Sequence, residues 1–237
     1  FMPKNQILEN ITIDKLIFGG KWLGVGPDGR KVIITGGCIP GSVVNVRVLK
    51  ERKSHYEGQE LDVVKKSPLE VPLLPGHQLY GGAKWLTIGY EDQLRIKEWQ
   101  VKEAFHHLGE FTWDTIWHPI IASPEIYGYR NKVEFSWGKY ISEREGIHDD
   151  FRFGFHAQGQ FDRIIDCSYC ALADEEINSI FHEVDTLSRA SGFPTYDPKT
   201  QVGFYRHFVV RKAHKTGEIM LIFSVNHMYE GEYQDFF

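Results

Sequence analysis

Breaks at Gly19-Gly20, Pro27-Asp28-Gly29, Gly36-Gly37 and Pro40-Gly41 leave the first part of this chain only short segments in which regular structure can form. Those segments are β-rich. Ile7 to Phe18 alternates apolar and polar residues imperfectly, Lys31 to Thr35 and Val43 to Leu49 abound in β-branched side chains, and Glu60 to Val64 adds a shorter piece. Short strands joined by turns leave unpaired edges unless the sheet closes, so the pattern predicts a small closed β-barrel over residues 5–67. Within it, Gly24-Val25-Gly26-Pro27-Asp28-Gly29 matches the glycine fingerprint of dinucleotide sites letter for letter. That fingerprint has to follow a strand and open a helix, whereas Pro27-Asp28-Gly29 turns into the next strand, so no nucleotide cofactor is inferred from it.

Prolines and glycines from Pro68 to Gly89 mark a connector over residues 68–91. Asp92 can then cap a helix whose apolar residues Leu94, Val101, Phe105 and Leu108 share one face, with Gly109 placed to end it. This helical segment is assigned to residues 92–122. A second helix is predicted from about Asp174 to Ala190, striped by Ile177, Ile180, Phe181, Val184 and Leu187 and stopped by Gly192. Both stripes read as core faces. Strand-like runs at Lys132 to Trp137, Arg152 to Phe155, Arg163 to Asp166, Phe208 to Arg211 and Ile219 to Val225 make residues 123–237 an α+β unit with a mostly antiparallel sheet. The fold class is therefore α+β: an OB-like barrel followed by an antiparallel sheet domain, with two main helices.

Composition narrows the functional classes. A chain of 237 residues that is 42% hydrophobic can bury a substantial core. No stretch approaches the roughly 18 apolar residues of a membrane span, and the N-terminus lacks the layout of a signal peptide, so a cytoplasmic protein with no membrane partner is expected. Three cysteines, Cys38, Cys167 and Cys170, are too few and too unevenly placed for a secreted disulfide framework. The net charge of -5 hides an asymmetry: residues 1–67 carry 11 Lys and Arg against 7 Asp and Glu, which leaves -9 for the remainder. The basic end is either a nucleic-acid surface or the lysine-rich rim of a small β domain.

The candidate chemistry is that of binding. Lys50, Arg52, Lys53, His55 and Tyr56 form a basic loop between barrel strands, offering cations to phosphates and a ring to a base, or else a solvated hairpin. Arg130, Lys132, Arg206, His207 and Arg211 are basic positions of the second unit, and they either meet RNA or pair with acids such as Glu134 and Glu218. Cys167-Ser168-Tyr169-Cys170 has the spacing of half a zinc site, but no second cysteine pair exists, so no metal is assigned. The remaining histidines, among them His106, His107 and His182, fall at no ligand spacing with a carboxylate.

A series of blocks in fixed order resembles the front half of the RNA uracil-5-methyltransferase family. Gly36-Gly37-Cys38-Ile39-Pro40-Gly41-Ser42-Val43-Val44 is similar to the turn and strand of the TRAM domain, a small RNA-binding barrel. Tyr80-Gly81-Gly82-Ala83-Lys84-Trp85-Leu86 stands where many relatives read Cys-Gly-Gly-Cys, and Tyr90, Gln93, Leu94 and Lys97 follow as in those relatives. The blocks Tyr129 to Ser136, Gly154-Phe155-His156, Ile164-Ile165-Asp166, Tyr205 to Arg211 and Thr216-Gly217-Glu218 look like the family's central domain. One departure is sharp. Cluster-bearing members hold iron and sulfur with four cysteines, the first three as Cys-x5-Cys-x2-Cys, and here those positions are Leu74, Tyr80 and Ala83, with Cys170 matching the fourth. One thiolate cannot hold a cluster that needs four, so an iron–sulfur cluster is expected to be absent.

The resemblance implies a thiolate that adds to uracil C6, methyl transfer from S-adenosylmethionine and a flipped-out target base. In relatives these belong to a further domain, so no catalytic residue is assigned here and no cofactor is expected within the chain. The chain is expected to be inactive alone, and the segment at 92–122 to pack on that further domain. Its implied role is to grip structured RNA, ribosomal or transfer, rather than DNA, and to present an unstacked uridine. A stand-alone RNA-binding protein without catalysis and a protein-interaction module are the competing readings.

Overall fold

The computed structural model describes residues 6–17, 19–74, 85–109, 117–142, 146–157 and 162–226. They form two compact units, one of residues up to 72 and 85–123, the other of residues 73–74 and from 124 on. Among the described residues no helix is long and apolar enough to cross a membrane.

In the first unit β1 (Ile7–Ile17), β2 (Lys21–Val25), β3 (Lys31–Thr35), β4 (Val43–Glu51) and β5 (His55–Lys65) close into a barrel in the order β1-β2-β3-β5-β4. The glycine-rich fingerprint lies in the β2–β3 hairpin, where Gly26 N donates to Arg30 O (2.8 Å) and Gly29 takes a left-handed φ of 81° that a Cβ would resist. Closure relies on the parallel pairing of β3 with β5, from Lys31 opposite His55 to Thr35 opposite Gln59. β1 bends around the barrel through register shifts at Leu8/Ile11 and Ile13/Lys15. Inward residues of every strand, including Ile11, Ile13, Trp22, Val32, Ile34, Val44 and Val46, make one dry core. At roughly 1.5–3 kcal/mol for each large side chain buried, that core is what offsets the chain entropy of so short a barrel.

α1 (Tyr90–Leu108) follows the barrel and differs from its predicted form at both its start and its face. Gly89 holds the cap position; Asp92 sits in the first turn and pairs with Arg95 (3.1 Å), while Gln93 Nε2 donates to Trp85 O and Ile88 O. No residue of the helix is fully buried. Val101, Phe105 and Leu108, predicted as core, are 41%, 44% and 86% exposed, and it is Ile96 that packs on the barrel core. Polar contacts complete the docking: Lys15 pairs with Glu103, and Gln100 Nε2 donates to Leu16 O (3.1 Å). The amphipathic stripe thus marks a cohesive face without specifying what covers it.

The second unit holds β6 (Lys132–Ser142), β7 (Ile147–His156), β8 (Ile164–Asp166), α2 (Glu175–Ser191), β9 (Tyr205–Lys212) and β10 (Ile219–Val225). Its five strands run antiparallel in the order β10-β9-β6-β7-β8. α2 begins where Asp174 accepts a hydrogen bond from Ile177 N (2.9 Å) and stops at Gly192, whose φ of 74° is left-handed. It lays Ile177, Phe181 and Val184 on an aromatic sheet face: Phe181 stacks on Phe135 at 4.3 Å, and Trp137 stacks on Phe153 at 4.3 Å while its Nε1 donates to Ser188 Oγ. Buried Asn178 receives Cys170 N and donates to Cys170 O and Asp174 O, which satisfies the turn that leads into the helix.

Candidate nucleic-acid interface

The β4–β5 hairpin brings the predicted basic loop together. Lys50 ends on β4, Arg52 and Lys53 are exposed at the tip, and Arg52 N donates to His55 O (2.8 Å) to close the turn. Partial desolvation alone would raise the Glu57 carboxyl, but Lys50, Arg52 and His55 around it hold it below the ordinary range. Tyr56 corrects the sequence reading: its ring is 4% exposed and lies under the Arg30 guanidinium at 4.0 Å, so it offers no open stacking face.

Arg30, which sequence reasoning missed, organises this end of the barrel. Its Nε donates to Asp28 (2.7 Å), its Nη2 to Glu51 (2.8 Å) and its Nη1 to Arg52 O (2.9 Å), and Tyr56 Oη donates to Asp28 (2.8 Å). Hydrogen bonds from Arg30 and then Tyr56 lower the Asp28 carboxyl from its ordinary 3.8 to about 2. The signal was present in Pro27-Asp28-Gly29-Arg30, where the turn aspartate precedes a cation by two residues, but its partners across the barrel are nonlocal.

In the second unit the predicted basic residues divide. Lys132 pairs with Glu134 (3.3 Å), the pairing that the competing reading named, and stands opposite exposed Arg211 in the β6–β9 register. Arg130 is half-buried at the foot of β6, its N–H donating to Leu172 O (2.8 Å). Arg206 and His207 share a cleft of about 510 Å³. There the Arg206 guanidinium lies 4.5 Å from the centre of the Tyr196 ring, and Ser136 Oγ stands 3.1 Å from both His207 Nδ1 and His156 Nε2. Burial, outweighing the pull of Glu134, lowers the His207 pKa, and Arg206 and His156 add to the effect.

The cysteines are built for packing. Cys38 is buried beside Glu60, and burial first, then that carboxylate, drives its thiol far upward; burial pushes Cys167 up to about 12. Protonated, enclosed thiols are poor nucleophiles. Of the positions matching the first three cluster cysteines, Leu74 is an exposed apolar side chain, and Tyr80 and Ala83 lie outside the described residues, as do Gly81, Gly82 and Lys84. Among the described residues no three His, Cys, Asp or Glu side chains gather as a metal ion requires.

No protein-family model matches the chain. It is similar to three proteins described as uncharacterized RNA methyltransferases. That of Chlorobaculum tepidum is 30% identical over 227 residues, 92% of this chain and 47% of the relative. That of Caldanaerobacter subterraneus subsp. tengcongensis is 32% identical over 221 residues, 93% and 47%. That of Gloeobacter violaceus is 33% identical over 218 residues, 91% and 46%. The chain thus spans about half the length of the curated relatives it matches. Its fold is shared with the crystal structure of Pyrococcus abyssi tRNA (uracil-54, C5)-methyltransferase in complex with S-adenosyl-L-homocysteine, at a TM-score of 0.63 and 18% identity over 96% of this chain and 48% of that one.

Proposed function

We propose that this chain is the RNA-recognition portion of an S-adenosylmethionine-dependent RNA (uracil-C5)-methyltransferase. The observation that carries the reading is the similarity, over more than nine-tenths of the chain, to one half of proteins described as RNA methyltransferases. In this reading the barrel, residues 5–67, is a TRAM domain whose β4–β5 hairpin meets phosphates through Lys50, Arg52 and Lys53, with His55 beside them. Residues 68–91 are a connector that carries no cluster, and 123–237 form the central domain, with Arg130, Lys132, Arg206, His207 and Arg211 its basic surface. The exposed Val101, Phe105 and Leu108 of α1 belong to the face that meets the rest of the enzyme. The methyl donor and the attacking thiolate come from outside these residues, and this portion orients a ribosomal or transfer RNA so that one uridine leaves its stack. The work is done in the cytoplasm.

Filter binding of a structured RNA over a salt series tests the reading. Affinity is expected to fall steeply with salt, and replacing Lys50, Arg52 and Lys53 together by alanine is expected to lower the logarithmic slope by roughly 2–3, since each lost phosphate contact removes about 0.7–0.9. An unchanged slope removes the hairpin from the interface. No binding at low salt rejects RNA recognition and leaves a protein-interaction module.

A further inference from the structure

The cleft of the second unit holds more positive charge than the sequence around it leads one to expect. Residues 68–237 carry a balance of -9, yet Lys139, Arg163, Lys199 and Arg206 line the cleft against only Asp162 and Asp197. Two irregularities of the sheet create this arrangement. Along β9, Ser224 stands opposite His207 and Val225 opposite Tyr205, so the register skips Arg206. Tyr205 and Phe208, three residues apart, can then both pack on Trp137, while Arg206 and His207 both line the cleft. On β6 the register with β7 shifts between Gly138 and Tyr140, and Gly138 lets Ile164 lie against the strand; a Cβ there would stand 2.7 Å from Ile164 Cγ1. Bulges re-aim side chains in this way at functional edges.

The chemistry gathered is that of a nucleotide site. Arg206 held over Tyr196 is a cation on a ring, the kind of platform on which bases stack. Ile141, Ile164 and Pro198 add apolar wall. Ser136 fixes the ring orientation of His207 and His156, whose other nitrogens are the ones it leaves unengaged. Lys139 stands 3.7 Å from both Asp150 and Asp197, loose pairings that a phosphate can displace. A volume of about 510 Å³ falls within the range of small-ligand sites.

We propose that this cleft is a subsite for a single nucleotide of an RNA strand, the base stacked on the Arg206–Tyr196 pair beside the His207 and His156 edges and the phosphate facing Lys139 and Arg163. The proposal rests on the RNA-recognition reading and sharpens it. A bare anion does not use the ring platform, and an acidic peptide does not use its width.

Calorimetry on the 237-residue chain tests it with three probes: a single-stranded RNA of about six nucleotides, uridine 5′-monophosphate and inorganic phosphate. The oligonucleotide is expected to bind tightest, the monophosphate weakly, and phosphate not to compete with either. Arg206→Ala is expected to weaken the oligonucleotide roughly five- to hundredfold, the range for one stacked base. Arg206→Lys keeps the charge and the fold but not the planar group, and is expected to lose most of the same affinity. Wild-type affinity in both variants, with the hairpin variant weakened, overturns the cleft and leaves RNA recognition standing. Equal competition by phosphate reduces the cleft to an anion site and overturns the proposal. Absence of all RNA binding at low salt overturns both.

Discussion

Arg30 is one residue bound to two turns. It grips Asp28 in the β2–β3 hairpin, Glu51 and the Arg52 carbonyl in the β4–β5 hairpin, and covers the Tyr56 ring. Because Asp28 is held at about 2 in the folded chain, against an ordinary 3.8, its ionised form supports the fold above the ordinary value. That support is lost as the pH falls through about 2. The melting temperature of Asp28→Asn is therefore expected to lie below that of the wild type at neutral pH and to converge with it in acid; parallel curves down to pH of about 2 would refute the assignment. The sequence displayed the acid and the cation two residues apart. It did not display Tyr56 or Glu51 as their partners, since those meet them only when the barrel closes, and so the Tyr56 ring read as open when it is covered.

At the scale of elements, local rules worked where an element depends on its own neighbours. α2 was legible in its bounds, from about Asp174 to the stop at Gly192, and in the part of its stripe formed by Ile177, Phe181 and Val184, whereas Leu187, read as core, is 53% exposed. Asp174 also receives Lys212 (2.5 Å), tying the helix start to β9, so Asp174→Ala is expected to cost somewhat more than the roughly 1 kcal/mol of an ordinary cap, read as a shift in urea midpoint at unchanged slope. Gly154 makes a second test. A Cβ there would stand 2.1 Å from Ile165 O, so Gly154→Ala is expected to pry β8 from β7 and to destabilise by at least about 1–3 kcal/mol; a neutral substitution would mean that the strand yields freely. α1 was legible as a helix but not in its surroundings, because a 3.6-residue period shows which residues share a face and not what lies against it. The skip at Arg206 was invisible for a related reason. Strict alternation through Tyr205-Arg206-His207-Phe208 sets Arg206 and Phe208 on one face, and only the partner strand reveals the extra residue.

At the scale of the molecule, β1, β3 and β4 were readable from turn chemistry and β-branched runs, but β2 was not, and β5 starts at His55, so that His55 and Tyr56, read as loop, lie on a strand. The β3–β5 pairing that closes the barrel joins segments too distant for any local signal. Charge behaved similarly. The first 67 residues announce their excess of cations in the sequence, but the second unit conceals a basic cleft within residues 124–237, which carry 12 Lys and Arg against 18 Asp and Glu, a balance of -6. The cysteine count bears on the same scale: with Leu74, Tyr80 and Ala83 where relatives that hold a cluster have thiolates, protein purified without oxygen is expected to contain no stoichiometric iron or acid-labile sulfide. Iron near four atoms per chain, the content of a cubane, would return Cys170 and its surroundings to the list of ligands.

Ser136 sets a rule for what the cleft can show a visitor. Its hydroxyl has one proton to give, and it stands between His207 Nδ1 and His156 Nε2. When it donates to His207, that ring carries its proton on Nε2, and His156 must donate inward and turn a bare Nδ1 outward. When it donates to His156, both assignments reverse. With the two rings uncharged, the pair always offers one donor and one acceptor, never two alike. The two states exchange by a relay in which two protons shift through the Ser136 hydroxyl while one ring loses a proton from its outer nitrogen to solvent and the other gains one there. The cleft thus has two interchangeable faces of one hydrogen-bonding pattern, able to meet a base edge in either orientation without moving a heavy atom.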